Sequence, residues 1–207
     1  MKYIYPPRPE TKIAPTSLTL FEKMWVYLAE PKLNGSSMEI YFNNDGTNFN
    51  FMNRHKAPMS NMKMNKDELS ALYHGKGEMI LCGEYMNKAC KDETGKLWNI
   101  KYVIWDIIMY NGEHLLGKTF EERYDLLCTL FPDNPVKRHL HQISENCFRV
   151  NSVTKDFRGV YNDITKYDMY EGLVMKRIDG KLENGTTEKN NTRTQLKCRK
   201  ATKNYNF

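Results

Sequence analysis

Residues 24–42 read MWVYLAEPKLNGSSMEIYF. Two apolar runs, MWVYL and MEIYF, bracket a short polar link carrying Glu30, Pro31, Lys32 and the pair Asn34-Gly35. Aromatic and apolar runs punctuated by Pro, Asn and Gly read as strand, turn, strand. The reading sets strands over about 24–31 and 36–43 and leaves Lys32 at the turn between them. A third strand at 47–53 follows through NNDGT, whose Asp45-Gly46 pair marks a tight hairpin. Neighbouring strands joined by short turns make an antiparallel sheet, and that decides the class.

Outward from this point the pattern alternates. NKDELSALYHGKG (65–77) reads as a helix with Asn65 as cap, Glu68 three residues on, and Gly75 as the stop. Strands follow at 78–86 and 98–109, and YNGE (110–113) is a reversal. KTFEERYDLLCTLFP (118–132) opens with the capping box Thr119/Glu122 and carries Tyr124, Leu127 and Leu130 at helical spacing until Pro132. A further helix is expected at 154–166. Final strands at 171–178 and 194–201 flank the polar spacer DGKLENGTTEKNNTR, which includes Asn-x-Thr triplets at Asn184 and Asn190. Residues 1–16 are proline-rich and read as an extended lead-in. The expectation is one α+β domain over 1–207, with mostly antiparallel sheets flanked by helices.

Composition narrows the class. At 207 residues, 40% hydrophobic and 12% aromatic, the chain has material for a real core. A net charge of +6 agrees with a polyanionic partner. The five cysteines are dispersed with no C-x-x-C pair, which argues for reduced thiols in a cytoplasmic setting and against a zinc site. His139 and His141 form an H-x-H read as a solvated loop. No apolar run reaches membrane-spanning length, and the N-terminus lacks a signal-peptide core.

Four charged clusters fall in or beside expected strands: Glu30 with Lys32; Glu84 in LCGEYM; Glu171 with Lys176 in EGLVMK; and Lys197 with Arg199 in QLKCRK. The last pair shares one face because strand side chains alternate with period two. Together they describe one polar pocket with carboxylates, cations and an activatable amine. Cations of this kind pair with phosphate oxygens, and carboxylates hold Mg2+ or a ribose hydroxyl. A lysine among cations gives up its proton more easily, and only the neutral amine attacks. Lowering its pKa by ~2–3 units, about 3–4 kcal/mol, makes a useful fraction reactive near neutrality.

The ordered elements EPKLNG, LCGEYM, YVIWDIIMYNG, EGLVMK and LKCRK resemble the serial motifs of the covalent nucleotidyltransferase superfamily. That group contains ATP-dependent DNA ligases, RNA ligases and mRNA capping enzymes, and the resemblance runs from about Glu30 to Lys200. It implies the ATP-grasp-like adenylyltransferase fold. It further implies that Lys32 attacks the α-phosphate of ATP to form a lysyl-AMP adduct. Glu30 then lies near the adenine, Arg54 contacts phosphate or ribose, and Glu84 binds the ribose or a metal. Trp105 stacks on the purine, Glu171 is the main Mg2+ carboxylate, Lys176 contacts phosphate, and Lys197 with Arg199 neutralises the α-phosphate and helps activate Lys32.

The chain departs from the DNA-ligase pattern at Asn34, Ser37 and Arg199, where Asp, Arg and Lys are usual; Lys200 stands beside the last. The first two lean toward RNA ligases, whereas the element spacing resembles small viral DNA ligases. Seven residues follow Lys200, so no OB-fold module is expected here; either the chain is the catalytic domain of something longer, or it works with a partner or without a clamp. The reading is an ATP-dependent polynucleotide ligase sealing nicked duplex DNA in a cytoplasm, with a virus- or phage-encoded enzyme acting in a host cell as one case. Alternatives are an RNA ligase, a GTP-using capping enzyme, or a silent nucleic-acid binder.

Overall fold

The computed structural model describes residues 4–60, 62–185 and 193–201. Within these, a short β1 (Thr11–Lys12) and a 3-10 turn (Pro15–Ser17) lead to α1 (Leu18–Lys23). Then come β2 (Tyr27–Leu33), β3 (Ser36–Phe42), β4 (Phe49–Asn53), α2 (Lys66–Ser70), β5 (Met79–Met86), β6 (Lys101–Tyr110) and β7 (Glu113–His114). The rest is α3 (Phe120–Leu130), β8 (Pro135–Lys137), β9 (Leu140–Gln142), β10 (Cys147–Val150), α4 (Phe157–Ile164), β11 (Tyr170–Arg177) and β12 (Gln195–Arg199).

The strands form two sheets. The larger has the order β4-β3-β5-β6-β10-β9-β8, with β7 hanging on β6; the smaller has the order β1-β12-β11-β2. Pairing is antiparallel except for β1 with β12 and β10 with β6. The class is α+β, as the turn chemistry implied.

Each sheet buries one face against helices. Phe157, Tyr161 and Ile164 recur at i, i+4 and i+7 on α4 and pack with Leu18 of α1 onto Leu173, Met175 and Cys198 of the smaller sheet. Leu127 of α3, with Phe131 after it, packs onto Leu81, Ile104 and Ile107 of the larger one. Full burial of such side chains is worth roughly 1.5–3 kcal/mol each. The Thr119/Glu122 capping box forms as expected, and Asp45-Gly46 lies in the turn between β3 and β4.

Pro31 is tolerated inside β2 because of its position. The Ala29 amide donates outward to the Val153 carbonyl, so the Pro31 nitrogen, two residues on, also faces away from β11. No ladder bond is lost there.

Several expectations change. Lys32 is not in a turn: β2 continues to Leu33 because Lys32 pairs with Gly172 and Leu33 with Tyr170 on β11. His141 is not in a solvated loop but buried in β9, its Nδ1 accepting from the Asn134 amide at 3.0 Å. The helix after Asn65 spans only Lys66–Ser70: Asn65 caps the Asp67 amide, but Glu68 turns to the Ser144–Asn146 turn, and the chain leaves the helix before Gly75. Strand β1, helix α1 and strands β7 to β10 are additions to the expected elements. Residues 186–192 of the polar spacer, with the Asn190 triplet, lie outside the described residues. Among the described residues no helix is long and apolar enough to cross a membrane.

Candidate active site

Between the two sheets lies a cavity of about 600 Å3. The nine residues expected to form the nucleotide site all line it: Glu30, Lys32, Arg54, Glu84, Trp105, Glu171, Lys176, Lys197 and Arg199. Strand periodicity explains the smaller sheet's share. Glu30 and Lys32 are two apart on β2, and Lys197 and Arg199 two apart on β12, so each pair projects from one face.

Glu171 reaches this face through a bulge. The ladder steps from Tyr170↔Leu33 to Gly172↔Lys32, so Glu171 is the extra residue on β11. The bulge needs glycine beside it. Gly172 has φ +144°, and a Cβ there would stand 2.0 Å from the Cys198 carbonyl oxygen. Re-aimed in this way, Glu171 accepts from the Lys32 ammonium at 2.5 Å and from Arg199 at 3.0 Å. The lysine expected to be nucleophilic is therefore held by a carboxylate, which is also a proton acceptor. Lys197 faces the same space, and its pKa is lowered, first by burial and then by the charge of Lys32.

At the other end of the cavity, Lys176 is paired with Glu30 at 2.6 Å, with the side chains 3% and 2% exposed. Lys176 also donates to the Trp105 carbonyl at 2.9 Å and lies 5.1 Å from the centre of the Trp105 ring. Its charge is thus engaged by Glu30 and the Trp105 carbonyl, while its side chain still lines the cavity. Burial raises the Glu30 pKa against the opposing effect of Lys176. Behind Trp105, the buried Asp106 takes a two-pronged grip from Arg123 of α3, at 2.9 Å for each bond. That pair fixes the strand carrying the indole.

The larger sheet supplies Glu84 opposite Ser37. Glu84 accepts from the Gly35 amide at 3.0 Å, and a Cβ on Gly35 would stand 2.5 Å from the Tyr85 carbonyl. Burial pushes the Glu84 carboxyl up to about 7, while Lys32 pulls it down and Glu171 adds repulsion. Arg54 sits just beyond β4, exposed, with its Nε 3.0 Å from His55 Nε2.

Among the described residues no cluster of three or more His, Cys, Asp or Glu is set to hold a metal. The chemistry of the donor set nevertheless fits Mg2+, which commonly takes one or two carboxylates and completes its shell with phosphates and water.

A family model described as the ATP dependent DNA ligase domain matches residues 12–193. The chain belongs to that family. As a ligase domain it has solved counterparts. The ligase domain of LigD from M. tuberculosis is 14% identical with a TM-score of 0.63, covering 95% of this chain and 60% of that one. A mycobacterial DNA ligase D complexed with ATP and MES is 15% identical with a TM-score of 0.62, covering 94% and 60%. A Lig E DNA ligase is 13% identical with a TM-score of 0.54, covering 94% and 68%. The ligase domain described here thus shares their fold and spans about 60% of the length of the first two. No curated protein matches the chain in sequence.

Three features of the ligase domain's site escaped the sequence reading. Residues Tyr5 to Pro9 form one wall of the cavity. The fully buried Glu39 lies two residues beyond Ser37, its Oε2 without a hydrogen bond among the described residues. Burial holds that carboxyl up to about 8, so it is neutral at pH 7 and adds no charge beneath Glu84. Ser152 donates to Glu30 at 2.9 Å from a loop remote in sequence. A glutamate at an inward strand position was the available signal for Glu39; nothing local marks Ser152.

Proposed function

We propose that this domain catalyses ATP-dependent nick sealing in duplex DNA through an AMP adduct on Lys32. The observation that carries the reading is the ion pair of Lys32 with Glu171 inside a cation-rich cavity that ends at an aromatic ring. Trp105 offers a face for the purine, and such stacking is worth about 1–3 kcal/mol. Glu30 and Lys176 close the base end as a neutral pair. Glu171 takes a proton from Lys32, and the lone pair so released attacks the α-phosphorus. Lys197 and Arg199 offset the charge that builds on the α-phosphate. Glu84, with the phosphates and with Glu171 once it has passed its proton on, would hold Mg2+, which would supply further neutralisation. Transfer of AMP to a 5′-phosphate and attack by a 3′-hydroxyl would use the same cations.

A second reading, an RNA ligase, is favoured by Asn34 and Ser37. The Asn34 side chain donates to the Asp168 carbonyl at 3.2 Å, an anchor between β2 and the loop before β11 that needs no carboxylate. A clamp module, in a longer chain or a partner, belongs to either proposal.

The test is covalent labelling. Wild type incubated with Mg2+ and α-labelled ATP should carry label after denaturation, and GTP should give none. Lys32→Ala should lose the label yet retain part of its sealing of pre-adenylylated nicked substrate. Normal labelling of Lys32→Ala would overturn the proposal. Nicked duplexes with DNA or RNA on the 3′-hydroxyl side then separate the two polymers.

A further inference from the structure

The proline-flanked Arg8 lies in the lead-in, in IYPPRPE (4–10), and nothing above gives it a task. That segment is a strap. Ile4 is fully buried, and the Tyr5 amide donates to the Gly185 carbonyl at 3.1 Å. At the far end Thr11 and Lys12 pair in parallel with Leu196 and Lys197, and the Ile13 amide donates to the Lys197 carbonyl. Between these anchors Tyr5 to Pro9 wall the cavity, and Pro7 and Pro9 restrict the backbone on either side of Arg8. The backbone that carries the guanidinium is therefore restricted before any ligand arrives.

We infer that Arg8 binds the β- and γ-phosphates of the nucleotide and steadies the departing pyrophosphate. This rests on the proposed reaction at Lys32. The argument is directional. In the smaller sheet β2 is at one edge and β1 at the other, about 14 Å apart across the sheet, and the cavity wall that carries Arg8 runs into β1. Lys197, on β12, lies between them. An in-line displacement needs the nucleophile and the leaving group on opposite sides of the α-phosphorus. With Lys32 on β2 and Lys197 at the α-phosphate, the leaving group points to the β1 edge, where Arg8 waits. The charges agree: seven lysine and arginine side chains line the cavity against three glutamates, an excess suited to a polyphosphate rather than to AMP alone. Arg8 is also among the cations whose charge depresses the Lys197 pKa, so the two face one space.

The step balances. The neutral Lys32 amine, its first proton on Glu171, forms the N–P bond while the bond from α-phosphorus to the bridging oxygen breaks. That electron pair leaves with pyrophosphate, and the second amine proton goes to pyrophosphate or solvent. Arg8 forms hydrogen bonds to the oxygens that gain charge.

Isothermal titration with α,β-methylene ATP and with AMP tests this without any covalent chemistry. Arg8→Gln should weaken the triphosphate analogue about 10-fold, or 1.4 kcal/mol, and leave AMP within about twofold. Arg8→Lys should recover most of the loss. In turnover assays Arg8→Gln should slow pyrophosphate-driven release of AMP from the labelled enzyme by a larger factor than it slows sealing of pre-adenylylated nicks. Equal weakening of both ligands, or no change in either, would overturn the inference, as would failure of wild type to bind the analogue. Arg8-dependent binding without any covalent label would instead overturn only the lysyl-AMP reading.

Discussion

Replacing Lys176 with methionine removes the ammonium that faces Glu30 at 2.6 Å, where both side chains are almost fully enclosed. Methionine fills similar volume, so the change isolates charge from packing. Glu30 then keeps the hydrogen bond from the Ser152 hydroxyl at 2.9 Å. Breaking a buried pair in this way typically costs about 3–5 kcal/mol, because a lone charge stays buried. Glu30 has an escape: it can take up a proton. Its folded pKa is already raised by burial, and Lys176 is the main influence holding it down. In Lys176→Met it rises further, so the folded state binds more protons than the unfolded state. Stability is then retained below the unfolded pKa near 4.5 and lost as pH rises from there toward the folded pKa. One pKa unit corresponds to about 1.4 kcal/mol, so between pH 5 and pH 7 the variant should lose stability more steeply than wild type. Urea unfolding at both pH values, with the m-value checked for constancy, measures this. Glu30→Gln combined with Lys176→Met should abolish the pH dependence and recover part of the stability. A Lys176→Met variant less than about 1 kcal/mol destabilised at pH 7, with no trend toward pH 5, would refute the reasoning that Glu30 is charged and paired.

Other outcomes follow from the same structure. With its carboxyl near 7, Glu84 should give the labelling rate an inflection, the rate rising with pH through about 7 as the ionised form appears, and Glu84→Gln should lack that limb in a pH–rate profile. Gly172→Ala should cost well over about 1 kcal/mol and lower labelling, since both φ and the Cys198 carbonyl oppose a Cβ; a thermal melt unchanged from wild type would contradict the bulge geometry. Thr119→Ala removes the cap of α3 and should cost about 1 kcal/mol, or ~2–4 °C in a calorimetric melt, with ATP labelling little altered. Chelation by EDTA should abolish labelling and leave the melting temperature nearly unchanged, because the domain's core contains no metal cluster among the described residues.

What could be read in advance divides along a physical line. Local rules act over a few residues, and they sufficed for the β3–β4 hairpin, the capped helix α3 and the period-two faces bearing Glu30 with Lys32 and Lys197 with Arg199. Ordered motifs extended that to the family. The sequence by itself therefore determined the class, the family and nine of the side chains that face one cavity. Long-range pairing lay outside those rules. Strand β10 joins β6 in parallel across some forty residues, and strands of three or four residues carry too little pattern to announce themselves. Only the tertiary structure decided that Lys32 sits within a strand and is held by Glu171, because a bulge opposite it depends on how two distant segments meet. It also decided that Lys176 turns to Glu30, since a buried charge takes the partner that packing brings nearest. The strap carrying Arg8 is the same kind of outcome: a proline-rich lead-in becomes a cavity wall once β12 offers its edge to β1.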